Sequence, residues 1–192
     1  MTDENEYLPK VLDEYRISFA NELRVFDFVN IEDFYKISIA QLKPKNRFIN
    51  NPEVNPIDYI VQDGLMDSYE KYKEVIYIIA FDEKIVKIGK TKVGMKGRHQ
   101  SYNCGTRKAR KKGTCSVTNY NVTETQYTAI RDGVSIDWYA YDVPQVIIPI
   151  EIFGEKHDVI AETNDKYESV LINQYIDATG HKPLLSVNIG AS

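Results

Sequence analysis

The stretch VIYIIAFDEKIVKIGKT, residues 75–91, sets a tyrosine and two lysines in an otherwise apolar hairpin pattern. Alternation along a strand sends Tyr77 to the face opposite Ile76 and Ile78. Lys87 lies ten residues on, on the partner strand, just before Ile88 and Gly89. A lysine beside a tyrosine favours the phenolate. It moves a pKa that starts near 10 toward that of a usable general base. The same two residues also suit the wet face of an ordinary hairpin, so the pair alone names no reaction.

Charge distribution adds a second signal. The chain of 192 residues has a net charge of −4, with 24 Lys and Arg against 28 Asp and Glu. Eleven of the basic residues fall between Lys84 and Lys112, where no acid occurs; subtracting these eleven from 24 leaves 13 for the rest, which holds all 28 acids. A one-signed run inside an acidic chain suits a polyanionic partner, and duplex nucleic acid is the natural candidate. Within the loop GTRKARKKGT, residues 105–114, the cations Arg107, Lys108, Arg110, Lys111 and Lys112 would neutralise phosphates and position a duplex without reading its sequence. Asn103, Ser116, Thr118 and Asn119 flank the loop and carry groups able to read base edges.

Other chemistries find no support. His99, His157 and His181 lack metal-ligand spacing, and no GxSxG or P-loop is present. Cys104 and Cys115 form no second pair, which argues against zinc and against a disulfide framework. No run is apolar for the roughly 18 to 20 residues of a membrane span. The acidic start MTDENEYLPK does not resemble a secretory or mitochondrial signal, so the expected compartment is the cytoplasm, with no membrane partner.

The elements that must position these residues read as follows. Residues 11–43 carry Leu12, Tyr15, Phe19, Leu23 and Phe26 at mixed helical spacing, which predicts one or two helices. NRFINNPEVNPIDY, residues 46–59, reads as a connecting loop. A β-hairpin is predicted over 75–81 and 84–89, and a short helix over 92–103 sets Met95, Arg98 and Tyr102 on related faces. Strands are expected at 115–122 and 134–143, with a hairpin across 145–153. From Asn164 the residues Asp165, Tyr167, Glu168, Leu171, Ile172 and Tyr175 recur at helical spacing. Asn164 or Asp165 would cap that helix and Gly180 would end it. The expected class is α/β (α+β): a small mixed or antiparallel sheet flanked by helices, residues 71–192. A basic insertion at 103–120 would lie within it, behind a helical N-terminal extension of residues 1–70 that could serve as a dimer or DNA-contacting arm.

The order Y-x9-K-I-G-K, then Arg98 on a helix, then Glu168 on a distant helix, resembles the GIY-YIG nuclease superfamily. VIY stands for its first motif and KIG for its second. Residues 98–120, RHQSYNCGTRKARKKGTCSVTNY, are similar to the subgroup of type II restriction endonucleases that cut short interrupted palindromes. The likeness spans 75–120, is weaker over 165–188, and does not include the first 70 residues.

That resemblance implies a Tyr77 general base that deprotonates the attacking water, and a Lys87 that holds Tyr77 or the water in its reactive state. It implies an Arg98 paired with the scissile phosphate. Glu168 would be the single protein ligand of Mg²⁺, or another divalent ion such as Mn²⁺. Without any metal, a carboxylate such as Glu168 is also favoured in a first helical turn by the helix dipole. Lys90 stands where relatives can carry a histidine, and as a lysine it supplies positive charge rather than a proton shuttle. The implied partners are double-stranded DNA, a second copy of the chain to serve a symmetric site, and a paired DNA methyltransferase in the same system. Two rivals remain open: a GIY-YIG-type nicking, repair or phage accessory nuclease, and a non-catalytic nucleic-acid-binding protein using the basic loop alone.

Overall fold

All seven residues of β3, Val75–Phe81, are buried, although their pattern reads as a strand with one wet face. The cause is a layer on each side of the sheet. The computed structural model describes residues 19–44, 56–71 and 73–186. In it a five-stranded sheet is built from β1 (Tyr35–Leu42), β2 (Ile57–Val61), β3, β4 (Lys84–Thr91) and β5 (Ile136–Asp142), in the order β2-β1-β5-β3-β4. All four pairings are antiparallel. On one face Tyr77, Ile79 and Phe81 pack with Trp138, Met95, Tyr102, Val122 and Ala129. On the other, Ile76, Ile78 and Ala80 pack with Val25, Phe34 and Tyr175. The expected α/β class and the flanking helices are both present.

β3 and β4 meet at Asp82–Glu83, both at positive φ (44° and 67°), the geometry of a tight hairpin turn. A register shift between Ile79 and Ala80 sets Ile79 opposite Lys87 but Ala80 opposite Ile85. The extra residue changes which face the end of β4 presents. Lys87 and Gly89 therefore share the face of Tyr77, and strict alternation from Ile85 would have sent them to the other side.

Helices α1 (Val25–Phe28) and α2 (Met66–Glu70) are single turns, whereas α3 (Gly94–Asn103) and α5 (Val117–Arg131) cover the Tyr77 face. α4 (Arg107–Lys111) joins those two, and α6 (Asn164–Thr179) lies on the opposite face. A second sheet consists only of β6 (Val146–Ile152) and β7 (Glu155–Ala161).

Several expectations are corrected. Over 11–43, residues 11–18 lie outside the described residues, and the rest holds only a 3₁₀ turn at Phe19–Asn21 and α1 before the strand β1. β1 follows a strand period through Ile37 and Ile39, which pairing with β2 and β5 decides. The expected loop at 46–59 gives way to β2 at Ile57; residues 45–55 lie outside the described residues. The expected strand at 115–122 is instead the start of the 15-residue α5. Its Val and Thr residues favour strands, but Ser116 accepts from the Asn119 amide and starts a helix whose buried side packs on the sheet. The hairpin placed at 145–153 extends to Ala161, since 145–153 holds only its first strand and part of its turn.

Helix α6 begins where expected, but neither Asn164 nor Asp165 caps it. Thr163 holds the cap position, and the Glu74 carboxylate accepts from the amides of Thr163 and Asn164 at 3.3 Å each. Gly180 ends the helix at φ 80°, with open space where a Cβ would stand. Gly180→Ala therefore meets no clash, only left-handed strain. It should lower stability by about 1 kcal/mol in a denaturant titration.

Candidate functional site

Five side chains from four elements, Tyr77 of β3, Lys87 and Lys90 of β4, Arg98 of α3 and Glu168 of α6, converge at the edge strand β4. Tyr77 stands directly opposite Gly89. A Cβ on residue 89 would lie 2.4 Å from the Tyr77 hydroxyl, so the phenol crosses β4 only because residue 89 is glycine. The ring stacks on Trp138 with centroids 5.3 Å apart, and its hydroxyl is 2.8 Å from the hydroxyl of Tyr102. Arg98, on α3, lies over both phenol rings, 5.3 Å from the Tyr77 centroid and 5.4 Å from that of Tyr102. Its guanidinium donates to the Lys90 carbonyl at 2.5 Å, while its buried Nε has no hydrogen-bond partner among the described residues.

Lys87 is buried on the same face. Its ammonium donates to the Leu185 carbonyl at 2.8 Å, in the 3₁₀ turn Leu184–Ser186. The next residue, Ser186, accepts from the Ile88 amide and donates to the Ile88 carbonyl, both at 3.0 Å. The turn thus closes the outer edge of β4. From the opposite face of the sheet, Lys90 reaches α6, where it pairs with Asp165 and, at 2.9 Å, with Glu168.

The electrostatics correct one expectation. Burial pushes the Tyr77 phenol above its ordinary pKa; Arg98 and the Tyr102 hydrogen bond pull it back, and Glu168 adds to the rise. The cation working on Tyr77 is thus Arg98 rather than Lys87, and desolvation outweighs it. Burial, then Arg98, pushes Lys87 down to about 8, against a smaller opposing effect of Glu168. Burial would lower Lys90 as well, but its bonds to Asp165 and Glu168 prevail and hold it above the usual lysine value. Lys90 therefore stays a cation and acts as the clamp on Glu168.

One carboxylate serves the site. The Glu168 side chain is 21% exposed, and no group of three or more His, Cys, Asp or Glu able to hold a metal occurs among the described residues. That donor set suits an ion which keeps most of its water, as Mg²⁺ does, and it does not suit zinc. The remaining metal-type side chains have other duties. His99 is buried, stacked on Tyr59 at 3.8 Å and bonded to the Tyr69 hydroxyl at 3.1 Å. Burial and Arg98 push it down to about 3, so it is neutral. Cys104 and Cys115 are free thiols with sulfurs 3.7 Å apart.

The basic segment leaves α3 on the Tyr77 side of the sheet. It is partly helical: Thr106 caps α4, accepting from the Ala109 amide at 3.1 Å, and Arg107 opens that helix. Lys111 and Lys112 are exposed, and Lys108 and Arg110 half-buried. Of the four flanking residues, Asn103 and Thr118 are exposed. Ser116 is engaged as the cap of α5, and the Asn119 amide donates to the Ser101 carbonyl and hydroxyl at 3.1 and 3.0 Å. These two brace α3 against α5. Sequence reasoning left Tyr102 outside the site, although its position four residues after Arg98 stacks the two on one helix face. No sequence signal marks the Leu185 carbonyl.

No family model matches the chain, and no curated protein matches it in sequence. Its fold is similar to that of the restriction endonuclease HPY188I, solved in complex with product DNA. The TM-score is 0.57 at 23% identity, covering 100% of this chain and 98% of that one. A mutant form of bacteriophage T4 EndoII aligns with a TM-score of 0.49 at 20% identity, covering 84% of this chain and 92% of that one.

Lys87 gives a stability test. Its native pKa lies below the ordinary lysine value of 10.5, so between about pH 8 and 10.5 the unfolded chain binds the extra proton and stability rises with pH. Below that window the buried charge costs about 3 kcal/mol. Lys87→Met should remove both the cost and this component of the pH dependence. The check is the difference between wild-type and variant unfolding curves at neutral and alkaline pH.

Proposed function

We propose that the chain is a DNA endonuclease of the GIY-YIG type. It hydrolyses phosphodiester bonds at the Tyr77, Lys87, Lys90, Arg98 and Glu168 site and acts as a type II, sequence-specific enzyme. The observation that carries this reading is Arg98. A guanidinium laid over two phenols, with a buried donor left without a partner, suits an incoming phosphate oxygen. The basic surface that continues from α3 into α4 would hold the duplex around it. The fold likeness to a restriction endonuclease solved with product DNA supports the same conclusion.

In this mechanism Tyr77, as phenolate, takes the proton of the attacking water. Tyr102 donates to the phenolate oxygen and fixes its position, and Arg98 offsets the charge of both phenolate and phosphate. Lys87, anchored at the Leu185 carbonyl, adds positive charge from below. Glu168 would hold the divalent ion, with Lys90 keeping its carboxylate in place. When bound, Mg²⁺ or Mn²⁺ neutralises charge developing at the leaving oxygen. Two copies of the chain would serve the two strands of a symmetric site.

Unmethylated plasmid incubated with the protein and Mg²⁺ should give discrete bands, and sequencing their ends would return the site and the stagger. A folded preparation that leaves diverse DNA intact would end this reading, and scattered nicks would favour a repair-type nuclease. Tyr77→Phe should lower the cleavage rate by about 10²–10⁴-fold, the usual range for a lost general base, while DNA binding persists. Glu168→Ala should abolish cutting and spare binding; a variant indistinguishable from wild type would point to a binding protein. Because burial raises the Tyr77 pKa above the ordinary phenol value, the wild-type rate should still be climbing with pH on the alkaline side of neutral. Any residual Tyr77→Phe activity should lack that rise.

A further inference from the structure

Among the described residues no element packs on the β6–β7 hairpin. Every residue from Val146 to Ile160 is exposed, and among the described residues the two strands pair only with each other. Of the fifteen large hydrophobic side chains exposed among the described residues, eight lie in this hairpin, which is only a twelfth of the chain. A two-stranded hairpin is marginal in water by itself. Its register also sorts the side chains. Val146, Ile148, Ile150 and Ile152 share one face with Val159 and Ala161, joined there by His157 and Glu155; the other face holds Ile147 opposite Ile160 near the root, then Pro149 opposite Asp158 and Glu151 opposite Lys156. The first face is the more apolar along its whole length, the pattern of a sheet whose apolar side is covered. At the tip Phe153 is fully exposed and held at φ 53°, a conformation uncommon for a bulky residue.

The same chain offers a counterpart. Between α6 and the sheet, beside the end of β5 that leads toward the hairpin, lies an open apolar cavity of about 350 Å³, lined by Phe34, Tyr141, Tyr167, Val170 and Leu171 and by Lys166. Tyr141 stacks between Phe34 at 5.2 Å and Tyr167 at 5.8 Å, which builds an aromatic wall. The hairpin's own tip stands seven extended residues from its root, roughly 23 Å, too far to fold back into this cavity. A second copy brings a tip within reach. Charge agrees: Glu151 and Glu155 flank Phe153, opposite in sign to Lys166. With three acids and one lysine over residues 146–161, the hairpin has the wrong sign for DNA.

We infer that the hairpin is a reciprocal dimer arm: its apolar face lies on a second copy of this chain, with Phe153 in the cavity beside α6 of that copy. The choice of a second copy as occupant rests partly on the endonuclease reading, in which a symmetric site needs two chains. The exchange is isologous, so both contacts form or neither does.

The test is sedimentation of the full chain without DNA, joined to directed cross-linking. Wild type should sediment as a dimer. The pair Ile148→Glu with Val159→Lys keeps a cross-strand attraction that holds the hairpin but places charges on its apolar face. It should weaken the dimer by about 100-fold or more while the circular dichroism spectrum is kept. A wild-type monomer, or a double variant that stays dimeric, overturns the inference. With the exposed thiol removed by Cys104→Ser, joint Phe153→Cys and Val170→Cys substitutions should yield a disulfide-linked dimer under mild oxidation. Cross-linking by Phe153→Cys alone would mean that the tips meet each other, which overturns docking in the cavity. A dimer that cuts no DNA would refute the endonuclease reading and leave this one standing, whereas a cutting monomer would do the reverse.

Discussion

A missing side chain at residue 89 governs the architecture of the site. Tyr77 is buried, yet its hydroxyl must lie across the neighbouring strand to be near the sheet edge, and a Cβ there would occupy the place of the phenol oxygen. The shift in register one turn earlier is the second half of the same constraint, because it brings Gly89 and Lys87 onto the Tyr77 face. Once the phenol lies over β4, Trp138 supports it from the sheet and Arg98 covers it from α3. Each later contact presupposes that first one.

The arrangement is also electrostatically costly, and the costs are compensated locally. Arg98 and Lys87 are like charges near one another, and Arg98 disfavours the charged forms of buried Lys87 and His99. Glu168 is the counter-charge for Lys87 and is held from the far side by Lys90. A polyanionic ligand would relieve this concentration of positive charge, and a binding site stays primed by leaving it unrelieved in the free protein.

Legibility in the sequence followed range. The hairpin, α3 and α6 were evident because alternation, turn residues and helical spacing are local signals. Tyr77, Lys87, Lys90, Arg98 and Glu168 are singled out by their order along the chain, and the fold gathers them at one edge of the sheet. What stayed hidden is set by tertiary contact. β-Branched residues in Val117–Arg131 suggest a strand, but Ser116 and the sheet beneath select a helix. Burial of Lys87 depends on a carbonyl 98 residues away, and the partner of Tyr77 is a tyrosine whose relevance appears only once both hydroxyls are placed. The pKa direction at Tyr77 departs from the sequence expectation for the same reason, since desolvation belongs to the fold and not to the neighbours in sequence.

The Leu184–Ser186 turn has a consequence for the order in which the molecule is made. A chain emerging from the ribosome can form the β3–β4 hairpin early, since its pairing is local. The carbonyl that anchors Lys87 and the hydroxyl that closes the edge at Ile88 belong to residues 185 and 186, added about a hundred residues later. Contacts of such separation form after local ones. Until they do, the ammonium of Lys87 has no anchor and β4 has an open edge. The nascent chain thus carries its key tyrosine long before that tyrosine has a finished site around it.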